Sequence, residues 1–158
     1  MKKVLLVSVS RSTRGKVRRF CEVFKKNLKG VSIKELDLTK KVSQKEIQNH
    51  VLECDGMFIA TYPSWFSPPV ELKAFIEALD PIDDKLWVKE RLLGLAVHSP
   101  QGGELGIFTS VVAPLTLMGF SLIGNGYAYH RGTKFDEGWA WDEVKEMGRT
   151  FTEKLIEL

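Results

Sequence analysis

Residues 10–16, Ser-Arg-Ser-Thr-Arg-Gly-Lys, crowd three hydroxyls and three cations into seven positions. Ser10, Ser12 and Thr13 offer small donors. Arg11, Arg14 and Lys16 bring positive charge, and Gly15 lets backbone N–H groups come close to a ligand. A helical pattern beginning at Val17 follows, so the positive end of a helix dipole faces the same loop. That combination suits a phosphate monoester held by Ser10, Arg11, Ser12, Thr13, Gly15, Lys16 and Val17. The loop is not a Walker loop, because Gly15-Lys16 lacks the earlier glycine and is followed by Val17 rather than Ser or Thr. Nor is it a Gly-x-Gly-x-x-Gly dinucleotide loop. A capped, solvated helix start would account for the Ser and Thr, but not for their crowding with three cations.

A second stretch carries a different chemistry. Met57 to Ala60 is a short continuous apolar run, as expected of a parallel strand covered on both faces. Pro63, Pro68 and Pro69 then stop the ladder and stiffen the chain. Between them lie Tyr62, Ser64, Trp65, Phe66 and Ser67. Aromatics and hydroxyls at the carboxyl end of a buried strand suggest a flat ligand, since open α/β sheets bind ligands at that edge. The alternative is a proline-rich loop that packs down on a neighbouring element. Trp65 cannot sit inside a strand or a helix. It either anchors the loop or stands against the ligand, and Tyr62 and Phe66 are available as anchors. A third loop, Ser99-Pro100-Gln101-Gly102-Gly103, offers backbone N–H groups at two glycines, or simply a turn that needs positive φ. His98 and His130 end strands and read as packed or hydrogen-bonded residues.

The elements that position these loops follow from periodicity. Val4 to Val9 reads as a β-branched, apolar strand, and Val17 to Leu28 as an amphipathic helix closed by Lys29-Gly30. Val31 to Leu38 reads as an outer strand. Ser43 reads as a helix N-cap, with Glu46 completing a capping box for a helix running to about Glu53. Pro69 is placed at the first helical position of a helix reaching Leu79. Residues 80–90 read as an irregular connection, Leu92 to His98 as a strand, Glu104 to Met118 as a helix, and Phe120 to Tyr129 as a fifth strand. Residues 130–138 read as a polar loop before a final helix from Trp139 to Leu158, where Trp139 and Trp141 are interface residues or plain core. Strands alternating with helices predict an α/β three-layer sandwich around a five-stranded parallel sheet of order 2-1-3-4-5. One domain is expected over residues 1–158, with the first and second loops adjacent at the switch point of the sheet.

Composition bounds the function. The 158 residues are 44% hydrophobic and 27% charged, ordinary for a globular chain, and the net charge of +3 is too small to argue for nucleic acid. No stretch approaches the roughly 20 apolar residues of a membrane span. The charged, briefly apolar N-terminus is too short for an export signal. Cys21 and Cys54 offer no metal spacing and favour a reducing compartment, so a cytoplasmic protein is expected.

Thr61-Tyr62-Pro63-Ser64-Trp65-Phe66-Ser67-Pro68-Pro69-Val70-Glu71-Leu72-Lys73-Ala74-Phe75-Ile76 resembles the second flavin loop, and the helix after it, of the flavodoxin-like NAD(P)H-dependent FMN reductase family, which also includes the iron–sulfur flavoproteins. Ser8 to Lys16 resembles that family's phosphate loop, with Ser8 in place of the usual first glycine and Gly15-Lys16 in place of the usual Asn-Thr. Ser99 to Glu104 resembles its glycine-rich third loop. The cysteine cluster of the iron–sulfur members is absent. The resemblance implies an FMN contacted by the first loop, by Pro63, Ser64, Trp65, Phe66 and Ser67, and by Ser99, Gln101, Gly102 and Gly103. It places Trp65 at the ring. It implies NADH or NADPH as electron donor and a small-molecule acceptor such as a quinone or free flavin. No catalytic side chain and no metal is required, because the flavin carries the chemistry. A homodimer or homotetramer is implied as well. The alternatives are a flavodoxin-like electron carrier, against which the slightly basic charge counts, and a flavin-free module of the same topology. For a receiver-type module, Ser10-Arg11-Ser12 stands where an acidic cluster is needed.

Overall fold

The computed structural model describes residues 1–12, 15–87, 89–132 and 134–158, with the side chains of residues 124–125 and 134–137 left aside. Five strands alternate with five helices: β1 (Lys3–Ser8), α1 (Lys16–Asn27), β2 (Ser32–Asp37), α2 (Gln44–Glu53), β3 (Gly56–Thr61), α3 (Val70–Glu77), β4 (Arg91–His98), α4 (Glu104–Leu117), β5 (Phe120–His130) and α5 (Lys134–Glu157). All pairings are parallel and the order is β2-β1-β3-β4-β5, as the alternation predicts. This is the doubly wound order whose switch point lies between β1 and β3.

The sheet is covered on both faces. Leu5, Val7, Met57, Ile59, Leu93 and Leu95 pack with α2, α3 and α4 through Val51, Phe75 and Val111. Val4, Leu6, Phe58 and Ala96 pack with α1 and α5 through Phe20, Phe24, Val144 and Phe151. Alternate residues of each strand therefore serve opposite layers, and every residue of β3 is buried. Phe24 stacks on Phe58 at 4.0 Å and meets Phe151 edge-on at 5.0 Å, which ties both helices of one layer to the central strand. Gly94 lies under this layer, where a Cβ would stand 2.6 Å from Met147 Sδ and 3.1 Å from Phe151. At the opposite edge, Arg91 is buried and donates to the carbonyls of Lys89 and Leu52 at 2.9 and 3.1 Å, with Trp87 and Phe120 against its guanidinium. The hydrogen bonds and ring faces make that buried charge tolerable.

Three expectations shift. α3 begins at Val70 and Pro69 is its N-cap, not its first helical residue. Residues 80–90 contain a short 3₁₀ turn at Asp84–Leu86. The polar loop expected over 130–138 is mostly helix, because α5 starts at Lys134 rather than Trp139. β5 runs to His130, and Gly132 at φ 87° reverses the chain at once while donating its N–H to His130 Nδ1 at 3.0 Å. Gly138 and its polar neighbours resemble a loop in sequence, yet a long helix absorbs one glycine at about 1 kcal/mol. Among the described residues, no helix is long and apolar enough to cross a membrane.

Ser43 accepts from the Glu46 N–H at 3.2 Å, so the expected N-cap of α2 is present. Ser43→Ala should lower stability by about 1 kcal/mol, a drop of roughly 2–4 °C in melting temperature for a chain of this size. A thermal melt of that variant checks it.

Candidate functional site

β1, β3 and β4 end level with one another, since Ser8 pairs Ala60 and Ala60 pairs Ala96. The three loops of interest leave the sheet side by side at this edge.

In the first loop, Ser10 Oγ donates to the Ser12 carbonyl at 2.8 Å and accepts from the Ser12 N–H at 3.4 Å. Ser10 thus shapes the loop, with its proton committed inside it. Gly15 is the N-cap of α1 and provides no side chain to cap the helix, and no acidic residue lies in the first turn. The amino end of α1 keeps its positive dipole uncompensated from within the helix. A Cβ on Gly15 would stand 3.1 Å from that of Ser12, so the loop closes tightly against the helix start. Arg11 sits 6.0 Å over the Tyr62 ring and Lys16 5.6 Å over Trp141. Val17 is buried, so its side chain belongs to the core and only its backbone reaches the loop. Thr13 and Arg14 lie outside the described residues.

The second loop is a tight two-residue turn. Ser64 N–H donates to the Ser67 carbonyl at 2.8 Å and Ser67 N–H returns to the Ser64 carbonyl at 3.1 Å. Between them Trp65 has φ 49° and Phe66 φ 62°, both left-handed. Positive φ at both central positions is the hairpin geometry that normally selects Asn-Gly. Here two aromatics occupy it, and each residue forced there costs about 1–2 kcal/mol. Burial does not offset that strain, for Trp65 is 93% exposed and Phe66 63%. Tyr62, by contrast, is half-buried and packs against both layers of the core, so it is the anchor of the loop.

The third loop packs under the second. Gly102 (φ 88°) and Gly103 (φ 98°) turn the chain into α4. A Cβ on Gly103 would stand 2.8 Å from Phe66 Cα and 3.0 Å from Pro63 Cβ. Ser99 is fully buried, and its Oγ donates to Glu104 Oε2 at 3.0 Å. Arg131 reaches the other Glu104 oxygen at 2.8 Å. Burial pushes the Glu104 carboxyl up, but its own backbone N–H, Arg131 and Ser99 together pull it below the ordinary carboxylate value.

Between the second and third loops opens a cleft of about 310 Å³ lined by Tyr62, Pro63, Ser64, Trp65, Phe66, Pro100, Gln101 and Gly102. Of the residues singled out in sequence, Pro63, Ser64, Trp65, Phe66, Gln101 and Gly102 therefore share one cleft. Ser67, Ser99 and Gly103 stand behind its walls: the first clasps the turn, the second holds Glu104, the third supports Phe66. Ser10, Arg11, Ser12, Gly15, Lys16 and Val17 lie beside it at the start of α1. Tyr62 and Pro100 complete the lining. Tyr62 was legible both as one of the loop's ligand-facing aromatics and as its anchor, and the Glu104–Arg131 brace, between residues 27 apart, has no local signal. The Tyr62 hydroxyl is shielded from water and has no hydrogen-bond partner among the described residues. A larger groove of about 620 Å³ lies between α2 and α3, lined by Leu38, Val42, Ile47 and Phe75 among others, away from the three loops.

The two strand-end histidines meet each other. Gly132 N–H donates to His130 Nδ1, so that nitrogen is an acceptor, and His98 Nδ1 supplies the proton shared with His130 Nδ1 at 3.2 Å and its carbonyl at 3.1 Å. Burial lowers the His98 pKa, the His130 carbonyl raises it part-way, and the charges of His130 and Lys16 lower it further, leaving it below the ordinary imidazole value. Cys21 and Cys54 are buried free thiols pushed up to about 12, chiefly by burial, and hold no thiolate near neutrality. Trp141 is half-buried between Phe20 and His130, whereas Trp139 is 42% exposed beside Tyr129.

An oxidoreductase from Corynebacterium diphtheriae matches at a TM-score of 0.80 with 13% identity, over 100% of this chain and 98% of that one. RosB, solved with bound 8-demethyl-8-formylriboflavin-5′-phosphate, matches at 0.77 with 15% identity, over 98% of this chain and 79% of that one. A flavodoxin from the domain Archaea matches at 0.68 with 16% identity, over 97% and 98%. The fold is flavodoxin-like. No family model matches the chain, and no curated protein does. At these identities the likeness is one of fold, and the chemistry must be read from the loops themselves.

Two outcomes follow from the strain and the brace. Replacing Trp65-Phe66 by Asn-Gly should relieve left-handed strain at little packing loss and raise the stability of the ligand-free protein by about 1 kcal/mol, read by chemical denaturation. Glu104 has a depressed folded pKa, so its contribution is present above the unfolded carboxylate value and lost as pH falls through the folded one. Glu104→Gln should therefore melt below the wild type at pH 7, and the gap should close on acidification below about pH 4.

Proposed function

We propose that the chain is an FMN-dependent oxidoreductase that takes electrons from NADH or NADPH and delivers them to a quinone, free flavin or another small acceptor. The observation that carries this reading is the aromatic-walled cleft standing beside a helix N-terminus whose N-cap is Gly15 and whose first turn holds no acidic residue, on one sheet edge. A flat ring with a phosphate tail needs both halves, and the spacing of β1, β3 and β4 sets them side by side. The likeness to RosB, solved with a riboflavin 5′-phosphate derivative, and to an oxidoreductase of the same size supports it.

The residues fit such a group. Backbone N–H groups at the start of α1, with Ser12 and the cationic loop, would hold the phosphate. Tyr62, Trp65, Gln101 and Gly102 would border the ring. When bound, FMN would supply the hydride and electron chemistry that no side chain here provides. The protein's own work is orientation: the Ser64–Ser67 clasp and the Glu104 brace fix two walls of the cleft before any ligand arrives. Backbone N–H groups of the second and third loops would favour negative charge at the ring edge. A homodimer or homotetramer in a cytoplasmic setting belongs to the same reading, with exposed Trp65 and Phe66 meeting a partner copy.

A flavodoxin-like carrier remains the second reading, favoured by the archaeal flavodoxin likeness. The net charge of +3 weighs against it, and steady-state NAD(P)H oxidation separates the two. FMN should bind the purified protein with quenched flavin fluorescence, and riboflavin more weakly for want of the phosphate. Ser12→Ala should weaken FMN about tenfold, the cost of one charge-assisted hydrogen bond of roughly 1.5 kcal/mol, while leaving riboflavin unchanged. Equal affinities for FMN and riboflavin would rule out the phosphate assignment.

A further inference from the structure

Gly106 lies inside α4, where glycine is about 1 kcal/mol worse than alanine. Its φ is not positive, so no backbone conformation demands glycine there. The reason stands opposite: a Cβ on Gly106 would be 2.4 Å from the Phe66 carbonyl oxygen. Gly103, one helical turn earlier, meets Phe66 Cα in the same way. These are backbone atoms of the strained turn, which cannot rotate aside as a side chain could. The turn is clasped at its base by the Ser64–Ser67 hydrogen bonds, so it must shift as a unit. The α4 end beneath it is fixed from two sides, to β4 through Ser99 and to the end of β5 through Arg131.

We propose that Gly106 is a positioning residue: the bare first turn of α4 is a seat that sets the height of the Trp65–Phe66 turn, and thereby the width of the cleft. The seat acts on the cleft's aromatic wall and not on the first loop, so it governs the ring of a bound flavin and not its phosphate. The ligand half of this inference rests on the flavin reading above.

The test is Gly106→Ala, compared with wild type in three measurements. Alanine favours the helix, so the ligand-free variant should melt within a few degrees of wild type. FMN and riboflavin should both bind about tenfold or more weakly, because a wall displaced by an ångström forfeits alignment. The ratio of the two affinities should stay within about twofold, and the bound flavin's visible spectrum should shift. A variant that binds both flavins like wild type with an unaltered spectrum would overturn the proposal, as would a loss confined to FMN. If the wild-type protein takes up neither flavin, the functional reading fails, and the seat is judged on the ligand-free crystal structures alone. There, a 64–67 turn displaced from α4 in Gly106→Ala supports it, and an unmoved turn refutes it.

Discussion

Strand β3 is hydrogen-bonded to β1 on one side and β4 on the other, and each of its residues is buried. Parallel pairing leaves no freedom in where the following loops emerge: they must all leave at the carboxyl edge, a strand spacing of about 4.8 Å apart. The first loop and the aromatic cleft are neighbours for this reason. Among the described residues, Arg11 lies over the Tyr62 ring, one direct contact between the first and second loops. A site built across separate loops needs such an external ruler, and the central strand supplies it.

The fold was legible because its signals are local and repeated. The apolar run at 57–60 announced a strand covered on both faces, Ser43 with Glu46 announced a helix start, and β–α alternation then left few topologies. What failed was the stretch after 130, where a glycine and polar residues within a long helix look like a loop. That helix is decided by the packing of Ala140, Val144, Met147, Phe151 and Leu155 on the sheet, contacts that its first residues do not announce in sequence.

The lining of the cleft was partly legible in sequence, and the packing behind it less so. Trp65, Phe66 and Gln101 line the cleft as their loop positions suggested, but Ser99 and Gly103 act from behind it. A serine that donates to a ligand and one that donates to a buried carboxylate look alike in sequence. The two glycines of the third loop were attributed to close approach of a ligand or to positive φ. Both do have positive φ, and the close approach at Gly103 is by Phe66 and Pro63. Long-range contacts of this sort leave no periodicity to read. Phe66 was also offered as an anchor, yet only Tyr62 is sunk into both core layers.

The exposed aromatic turn runs against what folding alone would select. An Asn-Gly pair would occupy its backbone without strain, and its two rings contribute little burial to the isolated chain. A chain that keeps Trp and Phe there, clasps them with a reciprocal pair of hydrogen bonds, and sets Gly103 and Gly106 against the Phe66 backbone holds two aromatic faces in the open at some cost in stability. Strain of this kind persists only where the surroundings over-determine it, and the bracing by Gly103, Gly106 and Glu104 is such a surrounding. The wall of the cleft is therefore set by the protein before any ligand arrives. A preorganised wall loses less freedom on binding than a mobile one, which is the physical advantage that left-handed aromatics on a glycine seat can return.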